Sequence, residues 1–175
     1  MKRKIVFWGI MILMLTAVFA EAPVFGMWKN VDEDNGEIAA VWNFYEEDGK
    51  LFGDILAMRN RPQNALATDC KSSYKDFPKS GNVNEMPVVG TSWIYNLTKE
   101  TEGNWKGGYI IDPSTGKQYG CMIKHLNGGD KNKNFTAAEE TLAVAITVGP
   151  VKVFKYWVKA TEDDIVYLQK KFPAE

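Results

Sequence analysis

The segment from Asn104 to Tyr119 constrains the fold most strongly, because it contains two β-strands and the turn that joins them. In the turn, Pro113 presets φ for the second position of a type I turn, and the Asp112 side chain can bond the backbone ahead of it. Gly116 supplies the positive φ that closes a hairpin. The segment, which also includes Gly108, carries no chemically reactive group and therefore predicts architecture rather than a reaction.

Strand periodicity recurs along most of the chain. Alternating bulky residues predict strands at 38–45, 51–58, 88–97, 141–148 and 151–158, besides the two strands of that hairpin and an ordered start at 26–28. About eight strands in short hairpin steps favour an all-β, up-and-down antiparallel barrel over a sandwich.

Three segments depart from simple alternation. Residues 59–87 lack periodicity and are predicted to form a long connection. The last predicted strand, 151–158, is apolar on both faces apart from Lys152 and Lys155, which is typical of a strand covered on both sides. Thr161 and the acidic residues after it predict a short C-terminal helix.

Residues 1–20 have the pattern of a secretory signal. Three basic residues, 2–4, precede an apolar run that is short for a membrane span, and Val18 and Ala20 suit a signal peptidase. We therefore expect a signal peptide at 1–20, one barrel domain at 21–160 and a helix and tail at 161–175, in the periplasm or outside the cell. An uncleaved anchor helix is the alternative.

The charge balance bears on partners. The chain has 21 basic and 22 acidic residues, and loss of three basic residues with the signal would leave a net charge of −4. A basic footprint for nucleic acid is absent, so no nucleic-acid partner is expected. The aromatic content of 13% is sufficient to fill the core of one domain.

Cys70 and Cys121 are the two cysteines of the chain. In an oxidising compartment they predict a disulfide, which would close a loop of about 50 residues and contribute about 4 kcal/mol in the chain-entropy model. The bridge would also tie down the long connection. The alternative is a pair of buried free thiols, since no Cys-x-x-Cys pattern is present.

Several motifs together resemble one bacterial family, the domain-of-unknown-function family 2147. They are a Gly-x-Trp start at 26–28, the hairpin at 48–55, the run from Trp105 to Tyr119 and Trp157 near the end. The resemblance covers the chain from about Gly26 to Lys159. It implies a small exported protein with a lipocalin-like or streptavidin-like barrel, and it implies no reaction because the activity of the family is unassigned.

The resemblance also implies how one end of the barrel closes. In lipocalin-like barrels a cation near the C-terminus stacks on the N-terminal tryptophan, which assigns barrel closure here to Trp28, Trp157 and Lys159. The family usually ends on Trp-x-Arg, so Lys159 is a departure, and an ammonium stacks less well than a planar guanidinium. An Arg-Gly pair usual in the penultimate strand is also absent from residues 143–147.

Aromatic side chains are spread over most of the predicted strands, and alternation directs some of them into the barrel. In a small barrel such side chains either fill the core or leave room for one small ligand. If a cavity remains, the tyrosine and tryptophan polar groups are available to orient the ligand. The candidates for the interior are Trp42, Phe44, Trp93, Tyr95, Trp105, Tyr109 and Tyr119.

Metal and catalytic sites have little support. His125 is the only histidine, and a zinc site with Cys70 and Cys121 matches no compact pattern. The acidic turn at 32–34 does not follow the spacing of a calcium loop. We therefore expect no metal ion and no cofactor, and we assign no catalytic residue.

Three functions remain in order of preference. The first is noncatalytic binding of a small apolar or amphipathic ligand in the barrel. The second is an envelope protein-interaction or structural module, in which residues 59–87 and the C-terminal helix dock a partner protein. The third is a hydrolase-type enzyme, for which no nucleophile and base can be assembled from the spacing.

Overall fold

Eight antiparallel strands form a closed barrel in the computed structural model, which describes residues 24–175. The strands of the barrel follow the order β1-β10-β9-β6-β5-β4-β3-β2, and β7 and β8 form a small separate hairpin. The elements are β1 Gly26–Val31, β2 Ile38–Glu47, β3 Lys50–Met58, β4 Ser92–Thr101, β5 Asn104–Asp112, β6 Lys117–Leu126, β7 Lys131–Asn132, β8 Phe135–Thr136, β9 Thr141–Val148, β10 Val151–Lys159 and helix α1 Glu162–Lys171.

The predicted up-and-down barrel and short C-terminal helix are confirmed. The predicted signal peptide at 1–20 lies outside the described residues. Among residues 24–175, the single α-helix is too short and too polar to cross a membrane.

The β5–β6 turn has the construction that its sequence predicts. Asp112 accepts hydrogen bonds from the backbone N–H of Ser114 at 2.9 Å and from the hydroxyl of Thr115 at 2.9 Å. Gly116 has a φ of 63°. A Cβ at Gly116 would lie 2.1 Å from the carbonyl oxygen of Asp69, so glycine also lets the long connection approach this turn closely.

The two ends of the barrel differ. At one end, here called the closed end, Val24 and Phe25 lie against interior tryptophans: Trp28 Nε1 donates to the Val24 carbonyl at 2.9 Å, and the Phe25 ring lies 6.2 Å from that of Trp105. The opposite end, the open end, carries the β1–β2, β5–β6 and β9–β10 turns and the connection 59–91. β1 runs from Gly26 at the closed end to Val31 at the open end, and because neighbouring strands are antiparallel, this direction assigns every other turn to one end.

Aromatic and aliphatic side chains fill the centre of the barrel. The Trp157 ring lies 5.2 Å from that of Trp42 and 5.9 Å from that of Phe44. Burial of each large apolar side chain contributes about 1.5–3 kcal/mol, so this cluster is a main source of stability. Other members buried to 1% exposure or less are Trp28, Leu51, Ile55, Ile94, Leu97, Trp105, Ile123 and Leu142.

The connection 59–91 is packed onto the outer face of β4 and β5. The Phe77 ring lies 6.1 Å from that of Trp93 and 5.3 Å from that of Tyr95. The Tyr95 hydroxyl donates to the carbonyl of Lys75 at 3.2 Å, and Asn96 Nδ2 donates to that of Asp76 at 2.7 Å. Burial raises the pKa of Tyr95 to about 12, so the hydroxyl keeps its proton. Aromatic packing and backbone acceptors therefore fix the connection.

The predicted disulfide is not formed, and Cys70 and Cys121 are buried free thiols. The Cα of Cys70 lies 3.1 Å from the position of a Cβ on Gly116, at the open end. Cys121 lies four residues beyond Lys117 along β6, roughly 13 Å farther, whereas a disulfide needs Cα atoms within about 7 Å. The alternation of β6 also directs Cys121 inward, while the connection lies on the outer face.

Helix α1 packs on the outer face of β2 and β3. Leu168 is fully buried against Val41 and Ala57. Lys29 Nζ bonds both carboxylate oxygens of Asp164, at 2.8 and 2.9 Å, and Asp164 also accepts from the backbone N–H of Thr161 at 2.8 Å in a capping box. The helix therefore lies against the barrel wall.

Gly108 provides a test of how closely β4 and β5 approach. A Cβ there would lie 2.3 Å from the carbonyl oxygen of Tyr95 and 2.6 Å from the backbone nitrogen of Leu97. We expect Gly108→Ala to lower the free energy of unfolding by about 1–3 kcal/mol through overpacking. Gly120→Ala is the matched control, because the nearest atom is 3.6 Å away on Thr147. Urea unfolding would measure both, and equal stabilities would contradict the prediction.

Candidate functional site

The predicted interior aromatics separate into two groups. Trp42, Phe44 and Trp105 are buried inside the barrel, where they fill space. Tyr119 shares its face of β6 with the fully buried Cys121 and is partly exposed toward the open end. Filling is therefore the main role of the interior group.

Tyr95 and Tyr109 are instead on the outer face, which corrects their predicted interior position. Tyr109 pairs with Gly120, on the opposite face of β6 from Cys121, and the Tyr95 hydroxyl accepts from outward-facing Gln118 at 2.6 Å. Trp93 packs under the connection and donates to the carbonyl of Val88 at 2.7 Å. Register shifts in β4, and the φ of 60° at Asn96, interrupt simple alternation.

The closed end brings one cation, one carboxylate and two rings together. Lys159 Nζ lies 3.9 Å from the centroid of the Trp28 ring. The His125 ring meets the edge of Trp28 at 6.2 Å, and Glu140 bonds His125 Nε2 at 2.9 Å and lies 3.5 Å from Lys159 Nζ. Trp157 is placed deeper in the barrel, against Trp42. The cluster has the geometry of a structural seal.

No metal-ligand cluster is found in the part of the chain that the structure describes: no three His, Cys, Asp or Glu side chains converge there. His125 is engaged with Glu140. The acidic turn is tied to Arg59, whose guanidinium bonds Asp32 at 2.6 Å and Glu37 at 2.6 Å. The hydrogen bond from Arg59 is the main reason that the pKa of Asp32 is lowered.

The seam between β1 and β10 is the most open part of the barrel wall. β10 pairs with β9 along eight residue pairs, from Val151 to Val158. With β1 it pairs at Trp28–Lys159 and Lys29–Val158 within residues 24–175. The stretch Val151–Trp157, here called the β10 edge, is therefore unpaired on this side within residues 24–175: its end at Tyr156 and Trp157 lies opposite Val31 and Asn30 of β1 without pairing, and the rest extends beyond β1.

The side chains of the β10 edge contradict the prediction that this strand is covered on both sides. Val151 and Val153 face inward, in register with Val148 and Ile146, yet they are 56% and 40% exposed. Phe154 and Tyr156 face outward. The Tyr156 ring stacks on Phe135 at 3.7 Å. The strand is apolar on both faces because both faces border an opening.

Two cavities lie along the β10 edge. The inner cavity, of about 270 Å³, includes Asn30, Ala39, Lys155 and Trp157 in its lining. The outer cavity, of about 630 Å³, includes Lys133, Phe135, Lys152 and Phe154. Val31, Glu33 and Tyr156 line both, so the cavities meet where β1 ends. Together they form the β10 cleft.

Apart from Trp157, which was predicted to close the barrel, the sequence analysis predicts no site at these cleft residues. The signal that would have found them is the difference in length between β1, with six residues, and β10, with nine. Unequal neighbours in a barrel leave the longer strand with an unpaired edge.

A family model matches residues 26–137, which is more than half of the chain, and its description is "Uncharacterized protein conserved in bacteria (DUF2147)". The chain belongs to this family. The matched part of this DUF2147 chain ends within the connection between β8 and β9, before the β10 edge begins.

One solved structure similar to this DUF2147 chain is described as protein HP1028 from the human pathogen Helicobacter pylori, which belongs to the lipocalin family. The TM-score is 0.59 at 15% identity, with 85% of this chain and 89% of that chain covered. At this identity the likeness shows a lipocalin-like fold. No curated protein matches the sequence.

Substitution of Lys159 tests the seal of the closed end. A cation over an indole contributes about 0.5–1 kcal/mol when exposed and more when desolvated, so we expect Lys159→Met to lower the free energy of unfolding by about 1 kcal/mol. Lys159→Arg should raise it, because a guanidinium stacks on the ring. Lys155→Met, which removes an exposed ion pair to Glu33, is the control. Urea unfolding is the measurement, and equal effects of the two methionine variants would contradict the seal.

Glu140 should make the stability of the closed end depend on pH. Burial raises the pKa of Glu140, but the hydrogen bond with His125 and the charge of Lys159 outweigh burial, so the pKa lies below its ordinary 4.5. A carboxyl whose pKa is lowered by folding stabilises above its unfolded pKa, and this contribution disappears as pH falls through the folded value. Between about pH 5 and pH 3 the native protein should therefore lose more stability than Glu140→Gln. The measurement is the free energy of unfolding as a function of pH. An equal loss in the native protein and in Glu140→Gln would contradict the prediction.

Proposed function

We propose that this chain is an exported bacterial protein that binds a small apolar or amphipathic ligand without catalysing a reaction. The single observation that carries the proposal is the opening beside the β10 edge, where Val151 and Val153 are exposed although they face inward. Such exposure is costly for a soluble protein unless another molecule covers it.

The proposed ligand position is the opening on the inner face of β10, which includes the inner cavity beside Lys155 and the exposed Val153 two residues along the strand, and not the centre of the barrel. Trp42, Phe44 and Trp157 fill the centre, and the indole of Trp157 forms part of the inner cavity. The volume of about 270 Å³ lies near the lower end of the range for small-molecule sites. The polar lining of the inner cavity includes Asn30, Lys155 and the carboxylates of Asp32, Glu33 and Asp34, which suits an amphipathic molecule whose polar end faces these groups.

A noncatalytic role is supported by how the charged groups at the opening are used. Glu33 pairs with Lys155 at 3.0 Å, and Asp32 is held by Arg59 at 2.6 Å. Neither carboxylate is placed beside a nucleophile. Export is supported by the secretory pattern of residues 1–20.

A protein-interaction role is the second candidate, but the connection 59–91 and helix α1, which were predicted to dock a partner, each pack one face against the barrel. In the connection 59–91, Phe77 packs on Trp93 and Tyr95. On helix α1, Leu168 is buried against β2 and β3. The observation that favours a protein partner is instead the unpaired backbone of the β10 edge.

Native mass spectrometry of the protein isolated from its envelope fraction, followed by organic extraction, tests the first proposal. A stoichiometric small molecule would support it and would identify the ligand class. An apo mass, with no binding in a screen of lipids and metabolites, would overturn it.

Val153→Lys locates the site. We expect it to weaken binding of any recovered ligand by about tenfold to a hundredfold, because an apolar side chain of this size contributes about 1.5–3 kcal/mol when covered. Val166→Lys is the matched control, since Val166 is 41% exposed on helix α1 and Val153 is 40% exposed. Equal affinities of the two variants would exclude the opening on the inner face of β10 as the ligand position.

A further inference from the structure

We propose that the β10 edge binds an extended, acidic and apolar peptide segment of another protein, which adds a strand beside β10. This inference goes beyond the small-ligand function and does not depend on it. It rests on the direction of the unpaired backbone groups, on the cavities at both faces of the edge and on the charges around them.

The hairpin register shows which backbone groups are available. Gly149 and Pro150 form a two-residue turn, so Val148 and Val151 flank it as a hydrogen-bonded pair. In antiparallel sheets such pairs alternate, so Val151, Val153, Lys155 and Trp157 direct their N–H and C=O groups toward β9. Lys152, Phe154 and Tyr156 direct theirs away from β9, toward the opening.

The next residue of this outward series supports the assignment. Val158 pairs with Lys29 of β1, which is the pairing expected for a residue whose backbone groups point away from β9. β1 therefore uses the last position of the series; Val31 lies opposite Tyr156 across the cavities without pairing with it, and Lys152 and Phe154 lie beyond the end of β1 within residues 24–175. A strand in the opening would continue the sheet from the point where β1 stops.

The cavities accommodate the side chains of an added strand. Successive side chains of a strand point to opposite faces. One set would enter the outer cavity, over Phe154 and Tyr156, and the other would cover Val151 and Val153 on the inner face. Backbone pairing combined with alternate side-chain sites is the general mode of strand addition.

Charge selects an acidic segment. Lys152 and Lys133 line the outer cavity with one carboxylate, that of Glu33, which is paired with Lys155 on the inner face of the same edge, so the outer cavity has an excess of positive charge. A second copy of β10 would bring the same lysines against each other, and lysines on an edge strand oppose such self-pairing. Glutamate side chains on the outer face would instead meet Lys133 and Lys152.

One ion pair has to break before a strand can be added beside β10. Glu33 pairs with Lys155 across the opening at 3.0 Å, but the two side chains are 65% and 53% exposed. An ion pair at this exposure contributes little to stability, so its opening is a small obstacle to strand addition.

The test uses the mature chain and a synthetic peptide of alternating valine and glutamate that is as long as the β10 edge. We expect saturable binding at millimolar peptide or below, with slowed amide hydrogen exchange at Lys152, Phe154 and Tyr156 measured by NMR. A valine–lysine peptide should not bind. A second valine–glutamate peptide is N-methylated at alternate residues, namely those whose N–H groups would pair with β10. This peptide should also not bind.

Two variants of Lys152 separate the contribution of its backbone N–H to peptide binding from that of its charge. Lys152→Pro removes an N–H that β9 does not use, so the fold should survive, as proline is tolerated on edge strands. It should weaken peptide binding at least tenfold relative to Lys152→Ala, which removes the charge and keeps the N–H. Thermal unfolding of both variants checks the fold.

Each other outcome overturns the proposal. Absence of binding, equal binding of the N-methylated peptide, or equal affinities of the two Lys152 variants would each exclude strand addition. A concentration-dependent dimer that Lys152→Pro abolishes would show that a second copy occupies the edge. The small-ligand proposal is judged separately, by the extracted molecule and by Val153→Lys.

Discussion

Closure of the barrel depends on the short seam between β1 and β10. A sheet that closes on itself must pair every strand on both sides, and here the last junction is made by two residue pairs. The chain compensates at the same end with the contacts among Trp28, Lys159 and Glu140. The rest of β10 is left with a free edge, and the openness of the wall follows from the shortness of β1.

Sequence patterns predicted those parts of the fold that local chemistry determines. The hairpin around Asp112 and Gly116 needs turn residues at fixed positions, and its strands form as expected. The predicted faces of β4 failed because register shifts are set by contacts with β3 and β5, which alternation does not report. The distance between Cys70 and Cys121 likewise depends on where the long connection crosses the barrel.

The candidate site was harder to predict than the scaffold. Trp42, Phe44 and Trp105 were identifiable as interior residues, but whether they leave a cavity depends on packing that no pattern specifies. The cleft arises from a difference in length between two strands that are far apart in sequence. One wall of the cleft, β10, lies beyond the family match, which ends at residue 137, whereas the facing residues Val31 and Glu33 lie within it. The cleft is therefore formed where the matched part of the chain meets the last two strands of the barrel.

The two separated cysteines have a consequence for how the chain matures. The fold is held by Phe77, Trp93 and the backbone acceptors of the connection, and burial raises the pKa of Cys121 to about 12, so this sulfur stays a protonated thiol. The native contacts can therefore form without an oxidation step that joins Cys70 to Cys121.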